Sequence, residues 1–133
     1  MDGVSSAASI IAVVDISFKV LTLCVEYAST VRDAKQDIER LNREIESLRN
    51  VLQKVEDEDR CRDTLSQCLS ELNKIEARLS SKKASWTRQF LPLKWPFKKK
   101  QIDGFLSTLD RHKATLTAEI ALNINEVRKP VIG

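Results

Sequence analysis

The chain has 133 residues, a formal net charge of +3, 42% hydrophobic and 31% charged residues, with only three Gly and three Pro. That length suits one domain with one core, and the dearth of turn-forming residues excludes a sheet-rich fold, which needs Gly, Pro or Asn-type turns every few positions. Between Val4 and Leu91 there is no Gly and no Pro. The three cysteines, Cys24, Cys61 and Cys68, are odd in number and fall on apolar stripes. They read as reduced core residues of a cytoplasmic protein.

The first predicted helix covers Val4 to about Thr30, capped by Asp2 or Ser5. Its sequence, VSSAASIIAVVDISFKVLTLCVEYA to Ala28, is interrupted only by Asp15, Lys19 and Glu26 and leaves no clean polar face. A helix apolar all round is either enclosed by other helices or bound for a membrane. The uncharged run from Gly3 to Val14 falls short of the roughly 20 residues that span a bilayer, and Asp2 stands where a secretory leader carries basic residues. Ser29, Thr30 and Asp33 are the poorest helix formers nearby and predict a break.

The second helix is expected over Asp33 to Val55, where Ala34, Ile38, Leu41, Ile45, Leu48, Leu52 and Val55 follow at spacings of four and three. The acidic run Glu56-Asp57-Glu58-Asp59 opposes the dipole of a helix end and favours that of a helix start, so it marks a turn. A third helix is expected over Arg60 to Leu79, with Cys61, Leu65, Cys68, Leu72, Ile75 and Leu79 on one stripe. Ser80 to Pro96 reads as a loop, and Pro96 suits the first turn of a fourth helix running to Val127. That helix carries Ile102, Phe105, Leu106, Leu109, Leu116, Ile120, Ile124 and Val127, with Lys113 interrupting. Residues 128–133 read as a tail. Helices of 20 to 30 residues would be ~30–45 Å long. The expected fold is therefore all-α: a compact bundle of about four long helices over residues 1–127, with the apolar N-terminal helix as its most enclosed member.

Catalysis has little to rest on. The single histidine, His112, lies between Arg111 and Lys113 and reads as a surface residue without a positioned partner. Neither a phosphate-binding Gly loop, a zinc spacing nor a calcium loop is present in the sequence. The chain is read as non-enzymatic, with no cofactor, no metal and no small-molecule substrate. The basic character belongs to one segment. Arg78 to Lys100 holds eight basic residues and no acid, while the remainder holds 14 basic and 19 acidic residues. Trp86, Phe90, Trp95 and Phe97 lie in or beside that segment. Cations interleaved with rings suit an anionic membrane interface through Lys82, Lys83, Trp86, Arg88, Lys94, Trp95, Lys98, Lys99 and Lys100. The competing readings are that Trp86 and Trp95 plug the core, or that the segment meets another anionic partner; nucleic acid is not expected.

Three phrases in order, MDGVSSAASIIAVVDISFKVLTLCVEY, VRDAKQDIERLNREIESLRNVL and KWPFKKKQIDGFLSTLDRHKATL, resemble the N-terminal domains of fungal STAND/NLR-type proteins, the HeLo-like and related helical domains. The resemblance covers about residues 1–125. It implies a helical bundle placed ahead of an oligomerisation module, a role in signalling or programmed cell death such as heterokaryon incompatibility, and membrane targeting by the apolar first helix. Carried onto this sequence, that element is Val4 to Val14, and Val4, Ala7, Ile10, Ile11 and Val14 are the expected membrane-engaging residues. The implied partners are anionic lipids, further copies of the chain or an NLR-type partner, and the implied location is cytoplasmic with conditional membrane association. Two alternatives stand beside it: a pure protein-interaction bundle without membrane activity, and a long coiled-coil scaffold, since the 3/4 spacing continues backwards from Val55 through Val31, Tyr27 and Cys24.

Overall fold

Helix α1 (Asp2–Thr30) ends without Gly or Pro because its last hydroxyls turn back on the backbone. In the computed structural model, which describes residues 2–89 and 93–128 and the side chains of 10–84 and 93–122, Ser29 Oγ and Thr30 Oγ1 both donate to the Glu26 carbonyl, at 2.8 and 3.2 Å. Such side-chain bonds offer the backbone an exit from the helix. Val31 is extended, and a short 3-10 turn, Arg32–Ala34, leads into α2 (Lys35–Leu52). The chain thus breaks after Thr30, as Ser29 and Thr30 predict.

Helix α3 (Glu58–Gln89) begins inside the acidic run, two residues before the expected start at Arg60. Asp57 caps it, Oδ1 accepting from the Arg60 amide at 3.3 Å, and Glu58 and Asp59 meet the positive end of its dipole. Its far end departs from the expectation. The residues expected to open a loop at Ser80 continue the helix for ten more positions, with Ser80 Oγ bonded to Glu76 Oε1 at 2.7 Å. A Ser-Ser pair is only a weak helix former, and nothing before Pro92 removes a backbone donor. Helix α4 (Lys99–Arg128) starts three residues after Pro96 rather than on it. Gln101 sets the start: its Oε1 accepts from the Lys98 amide at 2.8 Å, one half of a capping box.

Contacts along the helices fix their directions. Arg49 near the end of α2 lies over Phe18 in mid-α1, so these two run antiparallel. Arg40 reaches Asp103 and Lys113 reaches Ser47, so α2 and α4 run parallel. Thr64 bonds Glu119 and Arg78 bonds the Pro96 carbonyl, so α3 and α4 run antiparallel. Hence α1 and α3 are parallel. Among the described residues α1 packs on α2 and α3, as does α4, while α1 and α4, and likewise α2 and α3, sit diagonally. The turn at 53–57 therefore crosses the end of the bundle.

The stripes read on α2 and α3 are the core. Ile38, Leu41, Ile45, Leu48 and Leu52, and Cys61, Leu65, Cys68, Leu72, Ile75 and Leu79, are all buried. Ile102, Leu109 and Leu116 supply α4, and Val13, Val20, Cys24 and Tyr27 supply α1. Helix α1 is enclosed on its inner side, but its outer side is not covered: Ile11 is 60% exposed, Phe18 49% and Val25 63%. A corner helix with two neighbours buries one side, however apolar the other. The long coiled-coil scaffold is excluded for a related reason, because the 3/4 spacing from Cys24 to Val55 passes through a chain reversal and folds back on itself.

Candidate functional site

Of the large hydrophobic residues that are exposed among those described, Ile11, Phe18 and Val25 lie on α1 and Leu122 on α4. Of the five residues expected to engage a membrane, Ile11 is exposed, Ile10 and Val14 are half-buried against the core, and Val4 and Ala7 lie outside the described side chains. Phe18 and Val25 complete an exposed row with Ile11 that the sequence reading did not single out. Its signal was the interval of seven, two turns of helix, shared by 11, 18 and 25. The row is fixed at its middle by α2, where the Arg49 guanidinium lies 3.9 Å from the Phe18 ring centroid while also pairing with Glu46 at 3.1 Å.

The basic segment is divided. Lys82, Lys94, Lys98, Lys99 and Lys100 are exposed. Lys83 is half-buried and paired with Glu26 of α1, which neutralises it. Trp86 and Arg88 lie outside the described side chains. Trp95 is half-buried in a run of edge-on rings, Tyr27, Trp95, Phe97 and Phe105, with centroids 5.4, 5.2 and 5.2 Å apart. Leu93 and Phe97 are buried beside it, and Tyr27 Oη donates to the Leu79 carbonyl at 2.8 Å. The 93–98 segment is therefore pinned to the core, and for Trp95 the plug reading is the one the packing carries.

The two sets of site residues do not converge. Trp95 meets Tyr27, so the lysines of 94–100 lie at the end of the bundle where α1 finishes. Ile11 is 16 residues back along α1, ~24 Å at 1.5 Å per residue. One small patch cannot include both, and Lys99 and Lys100 belong to α4, which sits diagonally from α1.

His112 is corrected from surface to core: it is 5% exposed. Burial lowers its pKa, as does Arg111, and Glu71 of α3 partly opposes them. It is a neutral imidazole inside the bundle. Because its folded pKa is depressed below 6.5, its contribution is present above pH 6.5 and lost as pH falls towards the folded value. We expect the urea midpoint of the wild type to drop between pH 7.5 and 5.5, and His112→Gln to lack that drop. Equal slopes in both would mean that His112 titrates as an ordinary residue.

Among the described residues no group of three or more His, Cys, Asp or Glu is placed to hold a metal ion, and no helix is long and apolar enough to cross a membrane. Compared with known proteins, residues 1–131 match a family model described as pigment biosynthesis cluster protein PigL N-terminal. No curated protein and no solved structure matches the chain.

Proposed function

We propose a function from one premise: the chain belongs to the PigL N-terminal family, whose model covers nearly all of it. On this reading it is a non-enzymatic signalling domain of the HeLo-like kind, which on clustering engages membranes through α1 and so acts as a cell-death effector. It takes no cofactor and no small-molecule substrate, and it resides in the cytoplasm until clustered. The observation that supports the reading is the exposed row Ile11, Phe18 and Val25 on an N-terminal helix that the bundle leaves open on one side. Single apolar residues at a surface are ordinary, whereas three at intervals of seven align in a row along one helix. Weak anchors of this kind add by avidity once several copies are held together. The exposed lysines of 94–100 would add attraction to anionic headgroups, about 1 kcal/mol each at the surface. The same row favours a second reading, a helical interaction module that recruits a protein partner and never meets lipid.

The test fuses the chain to an inducible oligomeriser and measures dye leakage from anionic and neutral liposomes. We expect leakage only after clustering, only with anionic lipid, and less of it as salt rises. Loss of residues 2–8, which are terminal, should leave the fold intact and abolish leakage. Changing Lys98, Lys99 and Lys100 to Gln should weaken it. A folded truncation that leaks as well as the full chain would overturn the membrane role of α1. Absence of leakage in both, with capture of a protein partner, would put the interaction module in its place.

A further inference from the structure

We infer that the 93–98 segment is a lipid-responsive clasp on α1: an anionic membrane surface drawn to Lys94 and Lys98 takes Trp95 off Tyr27 and into its headgroup layer, and the last turn of α1 loses its cover. This adds a contact step to the membrane reading above and rests on it. The segment has two sides. Leu93 and Phe97 are buried, Lys94 and Lys98 are exposed, and Trp95 lies half-buried between them. Lys99 and Lys100 follow, exposed, at the start of α4. Among the described residues the side chains of these four lysines take part in no ion pair, so their charge is available to a partner. Trp95 meets α1 through Tyr27, edge-on at 5.4 Å between centroids, in the last turn of that helix.

The polar end of Trp95 sets it apart from its neighbours. Its Nε1 is buried, and among the described residues no acceptor reaches it. Tyr27 has its hydroxyl bonded to the Leu79 carbonyl, and the side chains of Phe97 and Phe105 carry no polar atom. Buried donors in folded proteins are nearly always paired, so the indole is held at rest in a site that does not satisfy it. A headgroup layer supplies what is missing: apolar surroundings for the ring and oxygen acceptors for the N–H, which is why Trp concentrates at membrane interfaces. A soluble polyanion would match the lysines but has no apolar layer for the ring. A membrane surface fits both sides of the segment.

The segment also has room to move. A cleft of about 550 Å³ lies between Leu93, Trp95 and Phe97 on one side and Thr30, Val31 and Ala34 on the other. The segment can therefore lift without displacing the junction of α1 and α2.

The sequence has two tryptophans, Trp86 and Trp95, which makes the step visible. Trp86→Phe leaves Trp95 as the only indole, and quenching of its emission by acyl-brominated phospholipid reports entry into a bilayer. The unfused chain is mixed with phosphatidylcholine vesicles, with and without phosphatidylserine. We expect quenching only with phosphatidylserine, and less of it as salt rises. Lys94→Gln with Lys98→Gln should weaken vesicle binding by roughly 30-fold and leave the emission in buffer unchanged. Amide exchange at residues 27–30 should quicken on the same vesicles; an unchanged rate overturns the release of α1. If Trp86→Phe does not fold, the quenching is read as the difference between the wild type and Trp95→Phe. A chain that stays off anionic vesicles, or sediments with them while Trp95 is unquenched, overturns the clasp. The same emission change with soluble polyphosphate overturns lipid as the partner. Leakage on clustering without quenching overturns only the clasp. Quenching without leakage keeps the clasp and overturns the effector reading.

Discussion

Ile45→Asp should abolish the folded state. Ile45 is fully buried at the middle of the α2 stripe, between Leu41 and Leu48, which are also fully buried. The substitution deletes apolar contacts, at about 2–5 kcal/mol for a large-to-small change in a core. It also places a carboxyl where no partner reaches it, which adds several kcal/mol of desolvation. A domain of this size has about 5–15 kcal/mol in all. Circular dichroism and a thermal melt decide the matter: the wild type should melt cooperatively, and the variant should show no transition. Glu46→Ala is the control. Glu46 is exposed and, among the described residues, pairs only with Arg49 on its own helix, so its removal should shift the midpoint little. A variant at position 45 that melts like the wild type would mean that the α2 stripe is not core.

The thiols should be nearly inert in the native protein and reactive once it unfolds. Cys24, Cys61 and Cys68 are free and buried. Burial pushes Cys24 and Cys68 from an ordinary value of 9.0 up to about 12, and Cys61 to about 11, where Glu119 and Asp57 add to the effect. Only the thiolate reacts, and each pKa unit is a tenfold change in its population at neutral pH. For Cys24 and Cys68 the suppression is ~1,000-fold before access is considered. Alkylation at pH 8 followed by mass spectrometry should find these two unmodified in buffer and all three modified in urea. The raised values also predict alkaline unfolding. A group with a raised folded pKa contributes stability that is fully present below its unfolded value and lost as pH rises towards the folded one. The loss should begin near pH 9 and grow by about 1.4 kcal/mol per unit for each thiol. Rapid labelling of Cys68 in buffer would show that α3 opens locally.

The candidate site was less legible than the fold, and the residues show why. Val4, Ala7, Ile10, Ile11 and Val14 were grouped because they are apolar and early in the chain. Helical geometry separates them: Ile11 points out and Ile10 and Val14 lean on the core. Phe18 and Val25 share the outward direction of Ile11 at intervals of seven, which is legible only after deciding which side of the helix is inside. On an amphipathic helix that decision is made by the polar residues. On α1 almost none exist, so the sequence is silent about direction. The same holds for Trp95, whose neighbours in sequence are lysines and prolines but whose neighbours in space are Tyr27 and Phe97.

The all-α class, the break at 30–34, the acidic turn and the buried stripes of α2 and α3 can be read from local sequence. Each of these is a short-range property: backbone donors, dipole ends and a 3.6-residue period are written within a few residues of where they act. Helix packing is what carries α3 on through Ser80 and Ser81, puts His112 inside, and stands α1 at a corner with one apolar side uncovered. Burial depends on which helices become neighbours. Diagonal placement of α2 and α3 leaves α1 two partners, and two partners cover half of a helix.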